Sequence, residues 1–157
     1  MDEKWAEALG RMVHGIYVLT VCHRDEVNGM IASWVSQVSH APPLIMVAVH
    51  PNRYSHRLIQ GAGAFALHVI PRERDDFLRI FKGPDPAAKF ASIRWTKGTT
   101  GSPLLEGCLA CLDCKVRTSL NPGNHTLFIG EVVDARLSGS GPPLSTMDYE
   151  GVYRGDR

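Results

Sequence analysis

A polar stretch from His50 to Ile59 contains the side chains that anions bind. It has the sequence HPNRYSHRLI and follows the apolar run PPLIMVAV. A buried strand that passes through a turn into a helix leaves free backbone N–H groups, and the helix dipole there favours negative charge. Arg53 and Arg57 add charge, and three side chains add directed donors for phosphate oxygens: Asn52, Ser55 and His56. The same residues also fit a solvated helix start that Asn52 or Ser55 caps.

A second segment, NGMIASWVSQVS, has small or hydroxyl residues where a strand ordinarily carries Val or Ile. These residues are Ala32, Ser33, Ser36 and Ser39. Small side chains let a flat ligand approach the backbone, where main-chain groups hold it and Trp34 or Met30 stacks against it. The alternative is a strand thinned to accommodate a helix or a second subunit.

Three cysteines, Cys108, Cys111 and Cys114, form a C-x-x-C-x-x-C pattern that resembles a metal site. The flanking residues alternate as in a half-buried strand, in which successive side chains point to opposite faces. Cys111 would then face away from the other two, and no Gly or Pro between them breaks the strand. Thiolate sites need convergent ligands. We therefore interpret the three as buried structural thiols and expect no metal.

Composition excludes several classes of function. The 157 residues are 44% hydrophobic and carry a formal net charge of +1, as expected for one globular domain over residues 1–157. Such a charge gives no global field for nucleic acid or anionic membranes. The charged start MDEKWAEALG and the absence of an apolar run near ~18 residues favour the cytoplasm.

Hydrophobic patterning predicts a mainly β chain with peripheral helices. Periodicity and turn residues indicate helices over 2–13, 52–60 and 72–81, hairpins over 15–38 and 108–137, strands over 44–49 and 64–70, and an irregular excursion with one helical turn over 83–103. Several strands of similar length with few helices between them predict a closed antiparallel barrel, because closure removes exposed edges.

Four motifs occur in an order that resembles the flavin reductase-like family of FMN-binding split barrels. They are NGMIAS, the double proline with its strand, NRYSH, and GNHTLFIGEV. The similarity runs from about Met12 to Tyr153 and is greatest with the flavoredoxin and rubredoxin-linked flavoreductase branch. It implies a six-stranded antiparallel split barrel and a homodimer, with FMN bound non-covalently near the interface. His40-Ala41 departs from the acidic residue frequent before the double proline.

The resemblance also implies site residues. It assigns Ala32, Ser33 and Trp34 to a backbone cradle for the flavin ring, and His125 to a catalytic position near the flavin and the nicotinamide. By position alone, His125 also fits an exposed turn residue. The other cofactor-binding residues that we expect are Met30, Ser36, Gln37, Val38 and Ser39 along the ring and ribityl chain, and His50, Asn52, Arg53, Ser55 and His56 at the phosphate. Gly130 and Glu131 match a segment that we interpret as structural.

The activity implied is that of an FMN-dependent NAD(P)H:flavin oxidoreductase, with NADH or NADPH as electron donor. Electrons would leave to free flavin, a ferric chelate, a redox partner protein or a monooxygenase. Two alternatives stay open: a non-enzymatic FMN-binding electron-transfer protein, and a split barrel whose phosphate turn binds another ligand, such as pyridoxal phosphate or a haem-type cofactor.

Overall fold

A computed structural model describes residues 1–148 of the chain, so the end YEGVYRGDR lies outside the described residues. The described part is mainly β, with helices at its periphery. Its strands are β1 (Tyr17–His23), β2 (Glu26–Ala32), β3 (Val35–Ser39), β4 (Leu44–Val49), β5 (Ala64–Val69), β6 (Trp95–Lys97), β7 (Pro103–Leu105), β8 (Ala110–Leu120) and β9 (Thr126–Leu137). Its helices are α1 (Glu3–Leu9), α2 (Tyr54–Ala62), α3 (Asp76–Lys82) and α4 (Pro86–Ala91), with a short 3-10 turn over Thr146–Asp148.

Seven strands form one antiparallel sheet in the order β2, β1, β5, β8, β9, β4, β3, and β6 pairs with β7 in a separate ribbon. The prediction of a closed six-stranded barrel is therefore wrong, because β2 and β3 are the two open edges of a seven-stranded sheet. The expected hairpin over 15–38 treated β2 and β3 as one strand. The chain instead leaves β2 after Ala32, and Ser33 and Trp34 lead into β3 on the opposite edge.

The edge strands β2 and β3 do not pair with each other, but the sheet is strongly curled. Only Ser33 and Trp34 separate β2 from β3, so Ala32 and Val35 lie within about 11 Å of each other. The Ala48 amide donates to the Trp34 carbonyl at 3.0 Å, which fastens this link to β4. The two edges therefore approach each other at this link.

Two apolar clusters pack against the sheet. Alternate residues of β5 contribute to each, with Phe65 and Leu67 in the first cluster and Ala66 in the second. The first also contains Leu58 and Ile59 of α2, and the second contains residues of α3, β7 and the β8 entry. Both faces of β5 are thus buried, which fixes α2 and α3 on opposite sides of the strand.

The cysteines divide between these clusters. Cys114 belongs to the first, whereas Cys108 and Cys111 belong to the second. The expectation that Cys108 and Cys114 share a face is wrong, because Cys108 precedes β8 and follows a turn at Gly107, which has φ 84°. All four cysteines are free, and residues 1–148 contain no group of three or more metal-binding side chains.

The helix α1 is shorter than the predicted span 2–13. The Asp2 side chain accepts from the Lys4 amide at 2.8 Å and begins the helix, which ends at Leu9 before Gly10. No residue of α1 is buried, and Trp5 is 66% exposed. No helix within residues 1–148 combines the length and apolar character needed to span a membrane.

Candidate functional site

Three aromatic side chains from distant parts of the sequence meet at one end of the sheet. The ring centroids of Trp34 and His125 are 4.7 Å apart, and those of His50 and His125 are 5.2 Å apart in an edge-to-face arrangement. Strand pairing explains the meeting, because Val49 of β4 lies opposite Thr126 of β9. His50 and His125 are the next residues beyond that pair. The structure therefore brings Trp34 and His125, which were expected at the flavin ring, together with His50, which was expected at the phosphate.

His125 is held as a neutral ring. Burial is the main cause that lowers its pKa from 6.5, and electrostatic interactions with His50 and Arg53 lower it further. Its Nδ1 lies 2.8 Å from the Asn124 Oδ1, an acceptor, so Nδ1 carries the hydrogen. The Nε2 atom of the neutral ring is then an acceptor.

The polar turn before α2 is ordered by its own backbone. The Arg53 amide donates to the His50 carbonyl at 3.0 Å, and the Asn52 amide donates to the His50 Nδ1 at 3.2 Å. Arg53 occupies the N-cap of α2 but makes no side-chain capping bond. Asn52 and Arg53 are exposed. Neither Asn52 nor Ser55 caps the helix, so the described chain leaves donors of the first helical turn to a ligand or to water.

Ser55 and His56, also expected at the phosphate, are buried and bonded internally. Ser55 is 0% exposed, and its hydroxyl accepts from the Asn28 Nδ2 at 2.9 Å. The His56 Nε2 lies 2.7 Å from the Thr126 hydroxyl, which donates to the Asn121 Oδ1 at 2.6 Å. These bonds tie the first turn of α2 to β2 on one side and to β9 on the other. Phosphate binding by the two side chains stays a prediction.

The Arg57 side chain contacts residues outside the turn at 50–53. Its guanidinium lies 3.2 Å from the Glu26 carboxylate and 5.1 Å from the centre of the Tyr54 ring. The Tyr54 hydroxyl also bonds Glu26. The charge of Arg57 is therefore paired, whereas Arg53 forms no ion pair within residues 1–148.

A buried lysine joins the site from α4, and sequence analysis missed it. Lys89 is 6% exposed, and its Nζ donates to the Asn28 Oδ1 at 3.0 Å and to the Gly29 carbonyl at 2.8 Å. Burial lowers its pKa, and the charge of Arg53 lowers it further. The available signal was a lysine flanked by Ala88 and Phe90 in an otherwise apolar helical turn.

The small-residue segment spans the link and the edge strand β3. Ala32 and Ser33 are buried, Trp34 is half-buried, and Met30 packs against the first core cluster. β3 is an edge strand, so one side of its backbone has no strand partner in the described sheet. Of the expected ligand-binding residues along it, Ser36, Gln37 and Val38 are exposed and Ser39 is half-buried.

Comparisons with known proteins agree on one family. The chain matches the family described as flavin reductase like domain over residues 9–155. It is 33% identical over 159 residues to the high molecular weight rubredoxin of Moorella thermoacetica, covering 99% of this chain and 68% of that protein. It is 29% identical to the ferric-chelate reductase (NAD(P)H) of Archaeoglobus fulgidus, covering 95% and 90%.

Solved structures agree with this result. The NADH:FAD oxidoreductase SgcE6 of Streptomyces globisporus C-1027, in complex with NAD and FAD fragments, superposes with a TM-score of 0.83. It is 27% identical, and the match covers 90% of this chain and 86% of that one. Some relatives are much longer: the chain spans 24–25% of two diflavin flavoproteins that it matches at 33% identity.

Proposed function

Because the chain belongs to the flavin reductase-like family, we propose that it is an FMN-dependent flavin reductase that transfers hydride from NADH or NADPH to flavin. The observation that carries the proposal is the adjacency of an aromatic group to exposed donors. His50 contacts the His125 ring and also begins the hydrogen-bonded turn that presents Arg53. A flat ring with a phosphate at one end needs both features side by side.

The residues present fit FMN. Asn52, Arg53 and the uncapped first turn of α2 would hold the phosphate, since charged and backbone donors converge there. The edge of β3 that has no strand partner in the described sheet, together with the buried small residues Ala32 and Ser33, would receive the ring and ribityl chain. FMN, when bound, supplies the redox chemistry by accepting and passing on a hydride equivalent.

The chain's own contribution is orientation and electrostatics. Hydride transfer requires donor and acceptor at about 3 to 3.5 Å with aligned orbitals, so positioning dominates over acid or base chemistry. The His125 ring contacts both Trp34 and His50. A neutral His125 offers an acceptor at Nε2 without adding a positive charge, which suits a contact with the nicotinamide.

We also propose that the protein acts as a homodimer. Trp5, Leu9, Met12 and Val13 are exposed apolar residues in and after α1, a helix with no buried residue. Monomeric proteins rarely expose large contiguous apolar patches, and a two-fold dimer is the commonest way to cover one. Light scattering of the flavin-loaded protein tests this, and a monomer at micromolar concentration would contradict it.

Two further points concern compartment and electron acceptor. Four free cysteines suit a reducing compartment, so we propose the cytoplasm.

The similar proteins include a rubredoxin and a ferric-chelate reductase, and these names describe different electron-transfer roles. For this chain we propose free flavin as the first acceptor to test and a redox partner protein as the second.

Anaerobic stopped-flow spectroscopy tests the proposed activity. FMN-loaded protein is mixed with NADH or with NADPH, and the loss of oxidised-flavin absorbance is followed. We expect rapid reduction by at least one nucleotide. A protein that binds FMN and is reduced by dithionite but by neither nucleotide would overturn the enzyme assignment and favour an electron carrier. Failure to bind FMN would overturn the cofactor assignment itself.

A further inference from the structure

His50 contacts both halves of the proposed site. Its carbonyl accepts from the Arg53 amide at 3.0 Å, and its Nδ1 accepts from the Asn52 amide at 3.2 Å. Its ring meets the ring of His125 edge to face, with centroids 5.2 Å apart. One residue therefore touches the turn that we propose for the phosphate and the ring that we propose for the nicotinamide.

The bond from Asn52 restricts the orientation of the His50 ring. An Nδ1 atom that accepts carries no hydrogen, so the hydrogen of the neutral ring is on Nε2. Asn52 follows His50 by only two residues, and the bond between them closes a short loop that limits rotation of the ring. A movement of the Asn52 amide would therefore turn the His50 ring against His125.

A second connection between the turn and His125 runs through His56. The His56 Nε2 lies 2.7 Å from the hydroxyl of Thr126, which directly follows His125. Burial lowers the pKa of His56 and of His125, and an electrostatic interaction with His50 lowers each further. Substitution of His50 leaves the bond between His56 and Thr126 in place, so it separates the two connections.

We propose that His50 is a positioning residue that couples phosphate binding to hydride transfer. A phosphate bound at the turn would hold the Asn52 and Arg53 amides in place, and through His50 it would fix the ring of His125. The binding energy of a remote, non-reacting group would then orient the reacting groups. This inference rests on the proposed function, because it takes FMN as the cofactor and His125 as the contact of the nicotinamide.

Riboflavin separates the effect of the phosphate from that of the ring, because it has the same ring as FMN and lacks the phosphate. Its comparison with FMN gives a rate ratio, which is the reduction rate of bound FMN divided by that of bound riboflavin. A phosphate that contributed only affinity would leave this ratio near one once each flavin is saturating. Coupling through His50 would raise the ratio.

Two substitutions divide the contacts of the His50 side chain. His50→Asn keeps a side-chain acceptor for the Asn52 amide but has no ring, whereas His50→Phe keeps a ring against His125 but has no acceptor. Coupling requires both features, so each variant should lose it. His23→Phe is the matched control, because His23 packs against Gly61 near the other end of α2.

The rate ratio is measured by anaerobic stopped-flow with the protein saturated by each flavin in turn. We expect wild-type protein to reduce bound FMN about tenfold faster than bound riboflavin, since small errors of position are costly in hydride transfer. The ratio should fall below twofold in both His50→Phe and His50→Asn. In His23→Phe it should stay at the wild-type value.

Nuclear magnetic resonance of the flavin-free full chain gives a readout that does not depend on catalysis. The probe is ribitol 5-phosphate, which carries the phosphate but has no flavin ring. The Cε1–H signal of His125, assigned by its absence from His125→Ala, should shift as the probe binds. In His50→Phe this shift should be at least halved, although the Arg53 amide signal should still move.

Several outcomes would overturn the inference. A wild-type rate ratio near one would show that the phosphate does not affect reduction. A tenfold ratio that survives in His50→Phe would leave only the ring contact, and one that survives in His50→Asn would leave only the bond to the turn. Survival in both variants would assign the coupling to His56. Each variant decides independently, so the test stands if one of them does not fold.

The two measurements also separate failure of this inference from failure of the proposed function. If neither nucleotide reduces bound FMN in wild-type protein, the proposed activity is wrong, and the resonance experiment still tests the coupling. If ribitol 5-phosphate shifts neither Arg53 nor His125, the turn is not a phosphate site. A shift of Arg53 without any shift of His125 would refute the role of His50 alone.

Discussion

The ring of His125 lies against the indole of Trp34, with centroids 4.7 Å apart and planes tilted by 48°. Trp34 belongs to the two-residue link between the edges of the sheet, and His125 directly precedes β9. This contact therefore attaches the turn before β9 to the link between β2 and β3. The position of His125 depends on how the sheet curls.

His125→Ala should slow reduction of the flavin without greatly weakening its binding. Because the ring lies among Trp34 and His50 and not at the start of α2, we expect FMN affinity to stay within a few-fold. Single-turnover reduction by nicotinamide should slow about tenfold, since small errors of position are costly in hydride transfer. Fluorescence titration and anaerobic stopped-flow measure the two quantities independently. Loss of FMN binding with a normal rate in the remaining holoprotein would contradict this role.

Arg53→Ala should weaken FMN binding about tenfold or more, because it would remove the charged donor that we propose for the phosphate. Arg57→Ala provides the comparison, since its guanidinium is already paired with Glu26. We expect less than a twofold effect from Arg57→Ala, and riboflavin affinity should change little in either variant. Equal effects of the two substitutions on FMN affinity would show that Arg53 has no special place at the site.

Protonation of His56 should lower the free energy of unfolding of the protein in mild acid. Burial lowers its folded-state pKa below 6.5, so the unfolded chain binds the proton more readily. The contribution of neutral His56 to the free energy of unfolding is complete above pH 6.5. It is lost as the pH falls from there through the lowered pKa of His56 in the folded protein. Urea unfolding at several pH values should show a weaker acid dependence for His56→Gln than for wild type. Identical pH dependence would contradict the assignment.

Thiol labelling should distinguish Cys22 from the other three cysteines. Cys22 is partly exposed, whereas burial raises the pKa of Cys114 to about 12. A hydrogen bond with Cys111, together with burial, raises the pKa of Cys108. We expect a maleimide to modify only Cys22 in the folded protein and all four after unfolding. Fast labelling of folded Cys22→Ser would contradict the buried assignment.

Trp5→Glu tests whether α1 forms the proposed dimer interface. The Trp5 side chain is 66% exposed, so the substitution should leave the fold intact. A charge in an apolar contact should shift the protein toward monomer, which sedimentation velocity measures. The matched change Lys4→Glu alters charge on the same helix at a polar position. A Trp5→Glu protein as dimeric as wild type would locate the interface elsewhere.

Sequence patterns predicted the local features well. The turn at residues 50–53, strand β4 and the β8–β9 hairpin all follow from apolar runs and turn residues. The break at Ser33 and Trp34 was missed, because no Gly or Pro marks it and the residues on either side favour strands. The tertiary pairing of β2 with β1 and of β3 with β4 determines where the chain breaks between the two strands.

The internal bonds of Ser55 and Lys89 could not be predicted for a similar reason. Ser55 is a good helix-start residue in any sequence, and its partner Asn28 lies in a different hairpin. Lys89 belongs to an excursion whose packing against β2 has no periodic signature. Which donors face a ligand and which face the core is decided by burial, and burial depends on contacts between distant segments.

The strand order also determines when the sheet can be completed during translation. β8 and β9 lie in the middle of the sheet but are synthesised last among its strands. Until they leave the ribosome, β5 and β4 each lack the neighbour that will cover one edge. Unpaired edges are templates for aggregation. The nascent chain is therefore most vulnerable to misassembly just before β9 emerges, and chaperone binding should be strongest at that length.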